Sequence, residues 1–408
     1  MSEILFLAHR IPFPPDRGDK IRSHNILKRL AALAPVHVAT FVESEDDAAH
    51  EGDLARLSAS HCIVSRTRPV PLATIEAVAT GIPVSLAAFA SRRIRDFVAH
   101  VLASRPVSVI VVFSGQMAQY LPDRFDGRIV MDLVDVDSAK FEDYAKRAHA
   151  PVATLYRREA RLLSRFEDRV AARADRTILS THEEAALFRS RLTTADGNRV
   201  SAMSNGIDTR FFDPATVRAV PDALGGGANI VFTGQMDYPP NIEAVTMFAR
   251  DAMPLVRQRI GNARFHIVGR APTAKVRALE GCNGTRVHGG VPDMRPWLAG
   301  ADLVVAPLLI ARGVQNKVLE AMAMARPVLA TPEAALGIGA KEGDQIAIAD
   351  GVEGLARRTV EMLENPDAAS RMGRAGRAFV EAEKAWDAVL APLAAWCGLD
   401  QPDHRHAA

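Results

Sequence analysis

The residues best suited to chemistry follow a short apolar run, Leu303–Ala306, in the second half of the chain. Gly313 permits a tight turn there, and the first-turn amides of the helix predicted after it, Val314–Lys317, have no intrahelical acceptors. Amides at a helix N-terminus favour phosphate, and the Lys317 ammonium adds positive charge. Glu320 projects from the same face one turn later. The pattern predicts a nucleoside diphosphate site in which Glu320 binds the ribose hydroxyls.

The alternative is an ordinary Lys–Glu pair, three residues apart on a solvated helix face, which is worth only about 0.2–0.5 kcal/mol. The residues around the pair argue against it, because Val318, Leu319 and 321–324 are all apolar. Such a helix is expected to be buried nearly all round, so its charged residues need partners.

A second anion site is predicted, more weakly, in the first βα loop. Gly18 lies where a helix begins near Asp19, and Lys20 adds charge beside it. A glycine at a helix N-terminus lets backbone amides approach an anion closely. A glycine that only closes a turn, with Lys20 in solvent, explains the sequence equally well.

An acidic loop with Asp132, Asp135 and Asp137 follows a predicted strand of the first half. Asp135 and Asp137 have the Asp-x-Asp spacing with which two carboxylates hold a divalent ion on phosphates. The structural alternative is that Asp137 or Ser138 caps the next helix.

A predicted helix over 156–176 carries a basic stripe of arginines: Arg158, Arg161, Arg165, Arg169, Arg173 and Arg176. Such a stripe could contact anionic lipid head groups or a lipid-linked diphosphate at the membrane periphery. Because Glu159, Glu167 and Asp168 are interspersed, the sequence favours a solvated, salt-bridged surface over that contact. No aromatic residues alternate with the arginines, which argues against nucleic acid.

Composition limits the class of protein. The 408 residues include 50 Lys+Arg and 48 Asp+Glu, a formal charge of +2, which excludes disorder and a dominant polyanion-binding surface. No apolar run approaches the ~20 residues that cross a bilayer. The N-terminus lacks the basic start of a secretory signal, and the three cysteines are too far apart to indicate a disulfide framework or a zinc site. We therefore expect a cytoplasmic protein.

Short apolar runs alternate with longer helical patterns along the whole chain, which is typical of βα units on parallel sheets. Strand candidates form one series up to residue 203 and a second after residue 225, with turn-forming residues concentrated over 205–227. The sequence predicts two α/β domains, each with a doubly wound parallel sheet, over residues 1–205 and 206–384. Ligands of such sheets bind beyond the carboxyl ends of the strands.

The segment from Lys317 to Val328 resembles the donor-binding element of family 4 glycosyltransferases of GT-B fold. Further segments resemble the family in the same order: Ser204–Asp208, Phe232–Met236, His266–Gly269 and Val287–Gly289. Two others, Met131–Ser138 and Asp237–Asn241, are most similar to bacterial sugar transferases associated with exosortase and exopolysaccharide loci.

The resemblance implies two facing Rossmann-like domains with a cleft between them, and a C-terminal helix over 385–400 that packs back on the first domain. It also implies transfer of a sugar with retention from a nucleotide-sugar, UDP- or GDP-linked, to a saccharide or lipid-linked acceptor. No metal or other cofactor is expected, and the location is the cytoplasm or the inner face of the cytoplasmic membrane. The candidate catalytic residues are Asp135, Arg312 and Lys317. The candidate donor-binding residues are Gly18, Gly234, Gln235, Gly313, Val314, Gln315, Asn316 and Glu320.

The chain departs from the family at two places. Arg312 stands where a glutamate usually contacts donor-sugar hydroxyls. The loop after Gly234 has Gln235 and the stretch Tyr238–Pro240 where the family usually has an arginine and then a lysine, so two cations are missing there. We expect Arg312 to supply part of the charge that this loop lacks. Two alternatives stay open: a nucleotide-sugar 2-epimerase of the same fold, and a catalytically degenerate subunit of a polysaccharide assembly complex.

Overall fold

A computed structural model describes residues 2–220, 224–311 and 314–399 of the chain. They form two compact units, called here the N-terminal unit (residues 2–204 and 390–399) and the C-terminal unit (residues 205–389). The sequence-based domain limits at 205/206 and 384/385 stay a prediction. No helix of the described residues is long and apolar enough to span a membrane.

The N-terminal unit is built on a seven-stranded parallel sheet with the order β3-β2-β1-β4-β5-β6-β7. Its central strands are Val- and Ile-rich and buried on both faces, as a parallel sheet covered by helices requires. The strands are β1 (Glu3–Ala8), β2 (Val36–Val42), β3 (Ser60–Ser65), β4 (Val107–Phe113), β5 (Arg128–Val134), β6 (Arg176–Leu179) and β7 (Val200–Ala202). The helices are α1 (Gly18–Ala31), α2 (Glu45–Ala48), α3 (Glu51–Leu57), α4 (Val70–Thr80), α5 (Val84–Ala88), α6 (Arg92–Ser104), α7 (Asp137–Arg147), α8 (Val152–Arg173) and α9 (His182–Arg191).

The C-terminal unit has a six-stranded parallel sheet with the order β10-β9-β8-β11-β12-β13. The strands are β8 (Asn229–Thr233), β9 (Arg264–Val268), β10 (Thr285–Gly289), β11 (Leu303–Ala306), β12 (Val328–Ala330) and β13 (Ala347–Ile348). The helices are α10 (Pro239–Met247), α11 (Met253–Arg259), α12 (Ala274–Arg277), α13 (Arg295–Ala299), α14 (Asn316–Ala323), α15 (Pro332–Ala335), α16 (Gly351–Glu364), α17 (Pro366–Phe379) and α18 (Trp386–Val389).

The predicted fold class is confirmed by these two doubly wound sheets, which also share one strand order. In each sheet the first strand lies between the second and the fourth, β1 between β2 and β4, and β8 between β9 and β11. The crossover direction reverses at that point, which leaves a crevice beyond the carboxyl ends of the strands where ligands bind. The loops after β1, β4, β8 and β11 are therefore the places to look for a site.

Two helices differ from the sequence-based expectation. The helix after β11 begins at Asn316, with Gln315 as its N-cap residue, two residues later than the first-turn amides predicted from Val314. The single helix predicted over 385–400 consists of two short ones, α18 and α19 (Pro392–Cys397). Pro392 lacks an N–H donor and so begins a new helix more readily than it continues one. The second of these helices belongs to the N-terminal unit and the first to the C-terminal unit.

Candidate functional site

The loop after β8 turns tightly at Gly234, directly beside the side chain of Lys317. Gly234 has a φ of +157°, and a Cβ atom placed there would lie 3.2 Å from Lys317 Nζ and 2.9 Å from Asn241 Nδ2. A larger residue would therefore push these groups away, so glycine is required for the close approach. This loop and the start of α14 lie at the reversal point of the C-terminal sheet.

Asn241, in the first turn of α10, connects the two segments. The Lys317 ammonium donates to Asn241 Oδ1 at 2.5 Å, and Asn241 Nδ2 donates to the carbonyl oxygen of Gln235 at 2.8 Å. Lys317 Nζ also lies 4.4 Å from the centre of the Phe232 ring, within cation–π distance. These contacts hold the ammonium at the loop, although Asn241 was not among the residues predicted for the site.

The end of β9 supplies a second cation that the sequence analysis missed. Gly269 packs so closely that a Cβ atom there would lie 1.6 Å from the Gly234 carbonyl oxygen. The next residue, Arg270, accepts a hydrogen bond from the Met236 amide at its carbonyl oxygen, and its exposed guanidinium lies 3.5 Å from Gln235 Oε1. The loop that seemed to lack an arginine thus receives one from the neighbouring strand.

Burial shifts both charged residues of α14 toward their neutral forms. It lowers the pKa of the Lys317 ammonium to about 8, although Glu320 has the opposite effect. It also raises the pKa of the Glu320 carboxyl to about 7, against the effect of Lys317. A partly desolvated cation and carboxyl one turn apart are suited to an anionic, hydroxyl-bearing ligand, because such a ligand replaces the water that both have lost.

The remaining predicted residues of this segment are placed as follows. Asn316 and Lys317 occupy the first two helical positions, where the amides have no preceding intrahelical carbonyl. Because the helix starts only at Asn316, Val314 lies before it, and of the amides predicted over Val314–Lys317 only those of Asn316 and Lys317 belong to the first helical turn. Arg312 and Gly313 lie outside the described residues.

In the N-terminal unit, Asp135 lies just after β5 and is held by two contacts. Its Oδ1 accepts from the Ser180 hydroxyl at 3.0 Å, and its Oδ2 lies 3.3 Å from Lys140 Nζ. Burial opposes the ammonium form of Lys140, but Asp137 and Asp135 outweigh it and raise the Lys140 pKa. Asp135 is therefore a fixed, half-exposed carboxylate beside a retained cation.

The position of Asp135 depends on a buried ion pair. Asp132 and Arg22 are each 1% exposed, and the Arg22 guanidinium donates to Asp132 Oδ2 at 2.8 Å. Asp132 Oδ1 accepts from the Val134 amide at 3.0 Å, and Val134 has a left-handed φ of +71°, which is rare for a β-branched residue. Because such a conformation costs about 1–3 kcal/mol, the hydrogen bond to the buried Asp132 helps to stabilise the turn that leads into Asp135.

The capping role predicted for Asp137 or Ser138 is wrong. Asp137 is the first residue of α7, and Val136 takes the N-cap position without a side-chain cap. The Ser138 hydroxyl donates to Glu167, and the amides of Val136 and Ser138 donate to Glu184 and Glu167. Carboxylates from two other helices thus replace a local cap. No cluster of three His, Cys, Asp or Glu residues suited to a metal occurs in the described part of the chain.

Gly18, the remaining candidate, begins α1 and is exposed, with open space around its Cβ position. The neighbouring Lys20 is buried at 3% exposure, and its ammonium donates to Asp47 at 2.5 Å and to the Phe13 carbonyl at 3.1 Å. Its charge is therefore already compensated within the unit and does not add to an anion site at Gly18.

Residues 227–365 match the family model of glycosyl transferases group 1, and this segment contains the whole cluster around Lys317. Among solved structures, HepE from Anabaena, in complex with UDP and glucose, aligns with a TM-score of 0.63 at 13% identity, over 97% of this chain and 99% of that one. Sucrose-phosphate synthase from Thermosynechococcus elongatus aligns at 0.63 and 16%, over 97% and 98%. The chain has the GT-B fold.

A third neighbour of this GT-B protein is WaaG, a glycosyltransferase involved in lipopolysaccharide biosynthesis, with a TM-score of 0.59 at 15% identity, over 97% of this chain and 100% of that one. No curated protein matches the sequence significantly. The group 1 match and the structural neighbours together support a glycosyltransferase of GT-B fold, whereas assignment to family 4 and to exosortase loci stays a prediction.

Proposed function

We propose that this protein transfers a sugar from a nucleotide-sugar donor bound at the C-terminal unit. The observation that carries the proposal is the convergence of Lys317, Asn241 and Arg270 on the tight Gly234 loop, at the reversal point of a doubly wound sheet. Two cations and the amides of a helix start suit a pyrophosphate there. Glu320, one turn deeper, suits the ribose hydroxyls.

In the proposed reaction, the bond between the sugar C1 and the donor β-phosphate oxygen breaks with retention, and C1 bonds to the acceptor hydroxyl oxygen. The acceptor proton passes to the leaving nucleoside diphosphate. The protein's main contribution is then to stabilise the charge that develops on the phosphate, through Lys317 and Arg270. Asp135, in the N-terminal unit, is proposed as a contact to the reacting sugars. Because side-chain cations carry this charge, we expect activity to persist in EDTA.

The donor is proposed to be a UDP-sugar first and a GDP-sugar second, since the solved structures of HepE contain UDP and UDP-glucose. The acceptor is proposed to be a saccharide or lipid-linked saccharide of a bacterial exopolysaccharide or cell-surface glycan. The similarity to WaaG, whose role is in lipopolysaccharide biosynthesis, is compatible with that setting.

The donor site is tested by titration calorimetry with UDP on R270Q and K317Q. Loss of one charge-assisted phosphate contact is expected to weaken binding about tenfold for R270Q and tenfold or more for K317Q. R277Q is the matched control, because Arg277 is an exposed arginine of the following helix whose guanidinium donates to the Pro272 carbonyl. Unchanged affinity in both site variants, measured again with GDP, would refute the donor site.

Arg312 is tested in the same titration. If it supplies phosphate charge as predicted from the sequence, R312E weakens UDP binding further than R312Q. Affinity that is unchanged or higher in R312E assigns the missing charge to Arg270 alone.

The two alternatives make different predictions. A 2-epimerase converts the free nucleotide-sugar without any acceptor, so conversion of donor alone, followed by NMR, favours it. A degenerate subunit binds no nucleoside diphosphate. The two cations beside Gly234 disfavour the second alternative, since Arg270, just after β9, replaces one of the two cations that the phosphate loop lacks.

A further inference from the structure

Helix α4 carries its large apolar residues on the outside of the N-terminal unit. Its inner face consists of Ala73 and Ala77, which are buried against Ala87. Its outer face presents Leu72, Ile75 and Val78, which are 57%, 67% and 56% exposed. An amphipathic helix of a protein in water normally buries its larger apolar residues. The reversed pattern of α4 indicates that its outer face is covered by an apolar environment.

Helix α8 presents a row of exposed arginines at every fourth position: Arg157, Arg161, Arg165, Arg169 and Arg173. This row differs from the predicted stripe at both ends. Arg158 is half-buried and donates to the carbonyl oxygens of Ala77 and Ile82. Arg176 donates to the Asn198 carbonyl and the Ser201 hydroxyl.

The acidic residues of α8 do not neutralise this row, because all three are buried and bind within the unit. Glu159 accepts from the amides of Val84 and Ser85, and Glu167 from Ser138. Asp168 accepts from the amides of Thr193 and Thr194 at 3.1 Å. The salt-bridged surface considered from the sequence is therefore not formed by these acids, and the exposed side of α8 is strongly basic.

The apolar and basic surfaces lie side by side. Arg158 Nη2 donates to the Ala77 carbonyl at 2.5 Å, and Glu159 accepts from the Val84 amide at 2.7 Å, so α8 binds both the end of α4 and the start of α5. Beyond this contact lies a groove of about 700 Å³. Its walls include Ile82, Leu86, Leu162, Phe166, Arg165 and Arg169.

We propose that this surface docks on an anionic lipid bilayer. Leu72, Ile75 and Val78 would enter the interfacial layer, while Arg161, Arg165 and Arg169 contact lipid phosphates, and the groove beside them takes a head group. A bilayer surface offers apolar depth and negative charge side by side, and a weak apolar anchor with a basic patch is the combination that gives stable attachment. A second copy of the chain would bring one arginine row toward another.

The proposal is tested by co-sedimentation of the full chain with vesicles of phosphatidylcholine containing phosphatidylglycerol, and with vesicles of phosphatidylcholine alone. The wild-type protein is expected to bind the anionic vesicles preferentially. R161Q/R165Q/R169Q removes three charges and is expected to reduce the partition coefficient about a hundredfold. L72S/I75S/V78S is expected to reduce it at least about tenfold.

The matched control is R357Q/R371Q/R374Q, which removes the same charge from exposed positions of the C-terminal unit. It should bind vesicles like the wild-type protein. The proposal would be overturned if this control lost as much vesicle binding as R161Q/R165Q/R169Q, or if the wild-type protein bound neutral and anionic vesicles equally. It would also be overturned if the wild-type protein did not bind vesicles but formed a dimer that L72S/I75S/V78S dissociates. UDP affinity should be the same in all three triple variants, so failure here is distinguishable from failure of the donor site.

Discussion

Lys317 is the residue on which the proposed donor chemistry most depends, and its ionisation makes a pH prediction. Burial holds its pKa at about 8 in the free protein, so the ammonium is mostly charged at pH 7 and mostly neutral at pH 9. Because phosphate binds the charged form, UDP affinity should fall about tenfold between these pH values. K317R should bind UDP with little change over the same range, since arginine stays charged. A wild-type affinity that is flat from pH 7 to pH 9 would contradict the assignment.

At the scale of elements, site residues could be predicted from the sequence where they lie close together in the chain. They could not be predicted where strand pairing brings residues together that are far apart in the chain. Lys317 and Glu320 were predicted because they share one helix that follows a recognisable strand. Asn241 was missed because it is 76 residues from the lysine that it contacts. Arg270 was missed for a similar reason: only the pairing of β8 with β9 brings it to the Gly234 loop. Helix α4 has an apolar sequence, but which of its faces is buried depends on its packing with α5 and α8.

The contact between the β8 and β9 loops makes the element-scale prediction. In G269A the new methyl group would meet the Gly234 carbonyl, which is backbone and cannot rotate away. The Gly234 loop must then shift, so we expect a loss of about 1–3 kcal/mol in the free energy of unfolding together with strongly weakened UDP binding. G226A is the control, because its Cβ position is open. Thermal unfolding and titration calorimetry measure both effects, and G269A with normal UDP affinity would show that the loop does not bind the donor.

At the scale of the whole molecule, the two sheets share one strand order but differ in the charges at their reversal points. At the reversal point of the N-terminal sheet, the charges compensate one another: Asp132 with Arg22, and Asp135 with Lys140. At the reversal point of the C-terminal sheet, Lys317 and Arg270 both lie at the Gly234 loop. Burial there disfavours the charged ammonium form of Lys317. The net charge of +2 for the whole chain therefore does not indicate how charge is distributed. The C-terminal unit has a candidate anion site at the Gly234 loop, and the N-terminal unit has a basic surface on α8.

The stability of the molecule should depend on pH through a buried histidine pair in the C-terminal unit. His266 is 0% exposed, its Nδ1 lies 3.0 Å from His288 Nε2, and its Nε2 lies 3.0 Å from Asn229 Oδ1. Burial, reinforced by His288, lowers the pKa of His266 to about 4. Because the unfolded chain takes up this proton at a pKa of about 6.5, the stabilising contribution is complete above that value and declines as the pH falls toward 4.

We therefore expect the free energy of unfolding to fall by about 2 kcal/mol between pH 7 and pH 5 on account of His266. Denaturant titrations of the wild-type protein and of H266N at both pH values measure this contribution. The asparagine variant should be less stable at pH 7, because it leaves a cavity beside His288, yet lose less stability on acidification, because its amide takes up no proton. An equal loss in both proteins would show that His266 is not the group that couples acid to unfolding.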